Sequence, residues 1–250
     1  MSGFKYAGIA VQGLMHEKCG LPCQDACIGM EGIEARCIVL ADGAGSVPSS
    51  EIIADAVVKA IADLVGSHFD SLYEMDDSDL KQRIIYEAEQ ACSEEGEFKP
   101  DCTLLVSACS SDGRVLLMHI GDGCIFGTED GEGMVISKPE NGEAANMTYF
   151  LSGRTAFYHL RIYRSLPDNC TGVMLCSDGA EEALYDKANG TAAPAVKKII
   201  GWMHEYNEET VQDVLERAVK DNIQKKTKDD ISIIVMAVSS KKSKTDQQNS

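Results

Sequence analysis

Carboxylates stand at four places where apolar runs begin or end. Asp42 closes "IVLADG", Asp122 lies in "LMHIGDG", Asp178 closes "VMLCSDG", and Asp229 with Asp230 opens "DDISIIV". An unpaired buried carboxylate costs several kcal/mol, so a chain that places one at the end of a buried strand usually supplies a cation or a cage of hydrogen bonds. Taken singly, each Asp-Gly reads as an Asx turn, as do "SDG" at Asp112 and "EDG" at Asp130. Four instances at the termini of separate strands allow the carboxylates to converge at one end of a sheet. Hard divalent cations such as magnesium and manganese need that arrangement, because they take oxygen ligands and keep several waters. Gly43 and Gly179 beside Asp42 and Asp178 would let backbone approach closely, and a glycine carbonyl can itself ligate.

The elements that must position these groups follow from periodicity. "KYAGIAVQG", "ACIGMEG" and "ARCIVLAD" read as short strands, the second returning through "EGIEA" as a hairpin. Ile52, Ile53, Ala56, Val57, Ala60, Ile61, Leu64 and Val65 recur at helical spacing over 50–69, with Ser49 or Ser50 as cap. A second helix is expected over 79–93, with Leu80, Ile84, Ala88 and Ala91 on its apolar face. Four strands follow at hairpin spacing, "CTLLVSACS", "RVLLMHIGD", "CIFGTED" and "GMVISKP", which implies an antiparallel meander. Further on come the strand "TGVMLCSDG", helices at about 181–186, 193–205 and 208–224, and the strand "ISIIVMAVS". Strands and helices fall in blocks, so the fold class is α+β, two antiparallel sheets packed as a sandwich with helices on the outer sides. Residues 1–238 form one domain in this reading, and the polar tail 239–250 is expected to be disordered.

Composition narrows the function classes. The 250 residues suit one large domain, and 44% hydrophobic residues fit a globular protein. A formal net charge of −17 argues against a nucleic-acid partner, which would need a clustered basic face. No apolar run reaches membrane-spanning length, and "MSGFKYAGIAVQG" lacks the pattern of a signal peptide, so the expectation is a cytoplasmic protein with no membrane partner. The ten cysteines are then expected to be reduced thiols, with Cys37, Cys102, Cys109, Cys124 and Cys176 as small hydrophobes. "CGLPCQDAC" spaces Cys19, Cys23 and Cys27 four apart, but this is not zinc-type C-x2-C spacing and no second pair follows.

The ordered set "QDA" at Gln24 and Asp25, "LADGAGS", "DCTLLVSA", "HIGDGCIF", "LCSDGAEEAL" and "KDDISIIV" resembles the bacterial branch of the metal-dependent Ser/Thr protein phosphatases, the type 2C or PPM family. The resemblance spans residues 4–238, and "PCQDA" with "DGAGS" is similar to its compact bacterial subgroup. It implies a β-sandwich flanked by helices with a centre of two Mn2+ or Mg2+ ions, and a possible third, at one edge. Carried over by position, Asp42 would bridge both ions, Gly43 would give a backbone carbonyl, and Asp178 and Asp229 would bind the first ion. Asp25 and Asp122 match positions that serve an additional, weaker ion or hold its water, and Asp230 has a supporting place. Two cations about 3.5–4 Å apart neutralise a phosphate monoester dianion and make hydroxide available near neutral pH for in-line attack. Phosphorylated proteins, the products of a Ser/Thr kinase, are the implied substrates of a monomeric enzyme.

This chain departs from the family at two points. The position that often carries a phosphate-holding arginine is Gly20, with His16 and Lys18 as candidate replacements; each otherwise reads as a solvated loop residue. The histidine that follows Asp-Gly in the eukaryotic branch, a proposed leaving-group acid, is Ala44 here. Arg154 lies where the bacterial family has its flap and is a candidate phosphoprotein contact, whereas His119 reads as a hydrogen-bonded core histidine. Those departures keep a second class open, a catalytically weak or inactive regulatory module on the same fold. A phospho-accepting receiver domain would share the acidic pocket, but it requires strands alternating with helices.

Overall fold

A computed structural model describes residues 4–142 and 148–238, so the tail 239–250 lies outside the described residues. The elements are β1 (Tyr6–Val11), α1 (Leu14–Cys19), β2 (Asp25–Glu31), β3 (Ala35–Asp42), α2 (Ser50–Glu74), α3 (Asp77–Glu95), β4 (Leu104–Ser110), β5 (Val115–Ile120), β6 (Cys124–Glu129), β7 (Glu132–Ser137), α4 (Ala156–His159), β8 (Arg161–Tyr163), β9 (Gly172–Cys176), α5 (Asp178–Leu184), β10 (Tyr185–Asp186), β11 (Thr191–Ala192), α6 (Pro194–Glu205), α7 (Glu208–Ala218) and β12 (Ile231–Ala237). One five-stranded sheet runs β1-β12-β9-β6-β7 and the other β2-β3-β4-β5-β8, antiparallel throughout.

The central strands are apolar on both faces because both faces are covered. In β3, Cys37, Val39 and Ala41 join the cluster under α2 and α3, while the alternate residues Ile38 and Leu40 join the cluster that holds Val173, Leu175 and Ile234 of the other sheet. The opposite sheet has its own helix layer, in which Val196, Ile200, Val211 and Leu215 of α6 and α7 pack with Phe126, Met174, Ile233 and Val235. The result is a helix–sheet–sheet–helix stack. Helix α2 kinks at His68, whose φ −130 and ψ 26 are not helical, next to the expected end at Phe69; the helical segment beyond the kink adds Phe69 and Leu72 to the buried cluster. Helix α3 starts two residues early, capped by the Asp76 side chain, which accepts from the Asp79 amide at 2.9 Å; Cys92, not Ala91, completes its buried face. The helix expected over 208–224 is α over 208–218 and then a π-type turn over Val219–Ile223.

One difference bears on the site. The four strands read as a meander do not share a sheet: β4 and β5 pair in one, β6 and β7 in the other. The chain crosses between sheets at Gly121–Gly123, which looks like a hairpin turn in sequence. Gly121 takes φ +110, and a Cβ there would stand 2.5 Å from the Thr103 side chain. The crossing puts Asp122 at the end of the sandwich rather than at a hairpin tip.

Candidate metal centre

At that end is a recess of about 150 Å³ lined by Asp42, Asp122, Asp178, Asp229 and Asp230 together with His16, Gln24, Gly43, Ala44, Gly45, Thr148 and Phe150. Its carboxylates come from four sequence-distant segments. Asp42 is the last residue of β3; its amide donates to Thr103 Oγ1 at 3.0 Å and its carbonyl accepts from the Thr103 amide at 2.9 Å. The Gly43 amide donates to the Gln24 carbonyl at 3.0 Å, and a Cβ on Gly43 would stand 2.6 Å from the Ser50 carbonyl oxygen. Asp178 begins α5 where β9 stops. Its neighbour Gly179 lies so close to the mouth of β12 that a Cβ would fall 1.9 Å from the Asp230 carbonyl oxygen. Both glycines expected to permit close backbone approach do so.

The electrostatics are those of an acidic cluster short of positive charge. Burial pushes the Asp42 carboxyl well above its ordinary range, and Asp25, Asp178, Asp122 and Asp229 push it further. Asp178 rises to about 7, through burial first and then the charges of Asp229, Asp122 and Asp25. Burial also raises Asp122. Asp25, only 7% exposed, is pushed up to about 7 by burial, against the pull of the nearby Ser177 and Ser232 hydroxyls. Neither oxygen of Asp25 has a hydrogen-bond partner, nor does Asp178 Oδ1. Buried acceptors left without donors and mutually repelling carboxyls are what a cation would satisfy.

Among the described residues, no group of three or more His, Cys, Asp or Glu side chains could hold an ion unaided. The donors fit magnesium or manganese in another way: both take one or two carboxylates and complete their shell with carbonyls and water. Asp42, Asp122, Asp178 and Asp229 line the recess beside the Gly43 backbone, and Asp25 stands opposite Asp42 across the β2–β3 ladder.

Asp230 is different. It is 2% exposed and fully engaged: Oδ1 accepts from the Gly13 amide at 2.6 Å, Oδ2 accepts from the Gln24 amide at 2.6 Å, and His16 Nδ1 lies 2.9 Å from Oδ2. His16 is therefore not a solvated loop residue; it lines the recess from α1, a helix with no periodic signature in the sequence. Lys18 is exposed on the same helix, outside the lining, and Arg154 is exposed between Phe150 and α4. Residues 143–147 of the segment expected to form the flap lie outside the described residues. Lys187 went unnoticed in the sequence. Its ammonium bonds Glu181 at 2.7 Å and lies near enough to Asp122 to ease that carboxyl's charge. His119 is the core histidine expected: fully buried, its Nδ1 2.8 Å from Ser137 Oγ and 3.0 Å from Arg161, its pKa held well below the usual histidine value by burial and then by Arg161.

A sandwich of this topology with carboxylates gathered at one end defines a metal-centred class of proteins, and the comparisons place the chain within it. The family model described as Protein phosphatase 2C matches residues 12–220, and the chain belongs to that family. Serine/threonine-protein phosphatase 3 of Escherichia coli (strain K12) is 32% identical over 167 residues, 61% of this chain and 64% of that protein; the match thus spans less than two thirds of the relative. Among solved structures, a bacterial serine phosphatase superposes with TM-score 0.64 at 15% identity, covering 96% of this chain and 100% of that one. The Mycobacterium tuberculosis serine/threonine phosphatase PstP/Ppp gives TM-score 0.61 at 18% identity, over 94% and 98%. RsbX in complex with magnesium gives 0.59 at 13%, over 96% and 97%. At such identities these likenesses are of fold.

Proposed function

We propose that this chain is a manganese- or magnesium-dependent protein serine/threonine phosphatase that hydrolyses phosphoserine and phosphothreonine monoesters on the products of a Ser/Thr kinase. The observation that carries the reading is the meeting of Asp42, Asp178, Asp229 and Asp122 in one recess, with Asp25 beside it bearing two unpartnered oxygens. When bound, two divalent cations supply charge neutralisation for the phosphoryl dianion and acidify water to give a nucleophile near neutral pH. The chain's own residues do the rest. Asp42, Asp178 and Asp229, with the Gly43 carbonyl, would hold the core ions, and Asp122 and Asp25 would serve an additional, weaker one. Thr103, Gln24 and Gly179 fix the backbones that carry them. His16 is the substrate contact within the recess; Lys18 and Arg154 are candidate contacts for the flanking protein chain. No helix among the described residues is long and apolar enough to cross a membrane; a single domain over 1–238, acting as a cytoplasmic monomer without a nucleic-acid partner, completes the proposal.

Gly20 and Ala44 favour a second reading, a regulatory module that binds metal without useful turnover. Hydrolysis of p-nitrophenyl phosphate and of a phosphoserine peptide, with manganese and with chelator, tests both. Manganese-dependent release of phosphate is expected. Metal binding by calorimetry without phosphate release would overturn the enzyme reading in favour of the module.

A further inference from the structure

We propose that His16, oriented by Asp230, is the proton donor to the leaving seryl or threonyl oxygen, an inference that rests on the phosphatase reading of the same recess. Helix α1 is pinned to the mouth of β12: the Met15 amide donates to the Lys228 carbonyl at 3.1 Å, and the Gly13 amide to Asp230 Oδ1 at 2.6 Å. The Leu21 amide closes onto the His16 carbonyl at 2.9 Å. The imidazole therefore sits on a fixed backbone, its side chain 16% exposed against 3% for that of Asp230. Asp230 already accepts from two backbone N–H groups, and the bond at 2.9 Å is assigned with His16 Nδ1–H as its donor. Among the described residues no hydrogen bond engages Nε2, which leaves that nitrogen as the one free polar position of the ring.

A ring oriented through Nδ1 by a buried carboxylate, on a residue that lines the acidic recess, and with no hydrogen bond at Nε2 among the described residues, has the geometry of an acid–base histidine. In the step, the oxygen of the attacking water forms a new bond to phosphorus and releases a proton to solvent. The bond from phosphorus to the seryl oxygen breaks, and that oxygen takes the Nε2 proton. The neutral imidazole then regains a proton from solvent. One phosphomonoester and one water become one alcohol and one inorganic phosphate.

The leaving group provides the test. p-Nitrophenolate departs without protonation, whereas a serine alkoxide does not, so loss of a proton donor penalises the peptide selectively. Positioned acid catalysis is worth about 10²–10⁴-fold. His16→Gln is expected to lose about 10²-fold or more on a phosphoserine peptide with manganese, and at least about tenfold less than that on p-nitrophenyl phosphate. His16→Asn retains an amide near the Nδ1 position to bond Asp230, and it should show the same selective loss with a melting temperature close to wild type. Equal losses on both substrates would make His16 a phosphate clamp or a structural residue, and no loss on the peptide would make it a bystander; either overturns the proton-donor role alone. A wild type that hydrolyses neither substrate would overturn the phosphatase reading and this one with it.

Discussion

Asp25 and Asp42 face each other across the β2–β3 ladder, the first residue of one strand registered against the last of the other. Like charges directly opposite in an antiparallel pair destabilise it. The chain nonetheless places both at the same sheet end, and neither Asp25 oxygen finds a donor. A sheet that pays this cost holds two carboxylates ready for a cation.

Asp42→Asn removes one charge from that pair without changing its shape. Manganese-dependent turnover is expected to vanish, because a neutral amide is no substitute for a carboxylate shared by two ions. The metal-free protein should melt roughly 2–4 °C higher, since a repulsion worth up to about 1 kcal/mol is gone. Thermal melting in chelator beside a turnover assay checks both. A variant that keeps wild-type turnover with unchanged metal content would remove Asp42 from the centre.

The raised carboxyls give the metal-free protein an inverted pH response. Asp25 and Asp178 hold protons up to about 7 in the folded state, whereas aspartates of an unfolded chain release them near pH 3.9. Between about 4 and 7 the folded state binds more protons than the unfolded, so stability falls as pH rises through that window and is greatest at its acid end. In chelator, the melting temperature at about pH 5.5 should exceed that at about pH 7.5. Manganese should raise the value at pH 7.5 more than at 5.5, because ions must displace protons at the lower pH. An apo melting temperature that rises with pH across this window would contradict the assignment.

What the sequence revealed of this site, and what it hid, follows from the range of each interaction. Asp42, Asp122 and Asp178 were visible because a strand end is a local pattern. The crossing between sheets at Gly121–Gly123 was not, since "GDG" between two apolar runs looks the same as a hairpin turn. The pairing of His16 with Asp230 joins residues 214 positions apart, and α1 has six residues and no buried face to signal it. Lys187 sits between two-residue strands too short to carry a period. His119 was legible because it alternates with Leu117 in a strand buried on both faces.

The glycines separate close contact from mere flexibility. Gly179→Ala would drive a methyl into the Asp230 carbonyl, so either α5 or the mouth of β12 must shift. A loss of about 1–3 kcal/mol in denaturant unfolding is expected, with weaker manganese binding as Asp178 and Asp229 move apart. Gly201, within α6, has nothing near its Cβ position. Gly201→Ala should stabilise by about 0.5–1 kcal/mol through helix propensity and leave metal binding alone. Similar effects from the two substitutions would refute the close-packing account of Gly179.

None of the ten cysteines forms a disulfide in the structure. Burial pushes the Cys23, Cys27 and Cys37 thiols up to about 12, while Cys19 is exposed. A thiol reagent near neutral pH should label Cys19 first in the native protein and all ten after denaturation, and purified protein should carry no stoichiometric zinc or iron. Mass spectrometry that finds fewer than ten reactive thiols in the denatured, unreduced protein would show disulfides and overturn the reduced state.

The flanking position and the core positions should respond differently to loss of a carboxylate. Asp178 begins a helix whose second residue touches the mouth of β12, so its place is fixed by the packing that fixes Asp229, and its Oδ1 is buried without a donor. Asp122 sits on the crossing between sheets, held by no strand of its own, with Lys187 near enough to relieve its charge. An ion relying on Asp122 would be bound more weakly than one held by Asp42 and Asp178. Asp122→Ala should therefore keep the two core ions in calorimetry while hydrolysing phosphoprotein much more slowly. Asp178→Ala should weaken the binding of a core ion itself, shifting the manganese dependence of turnover to higher concentration. Loss of both core ions in Asp122→Ala, or wild-type turnover from it, would return Asp122 to the status of a turn residue and reduce the centre to Asp42, Asp178 and Asp229.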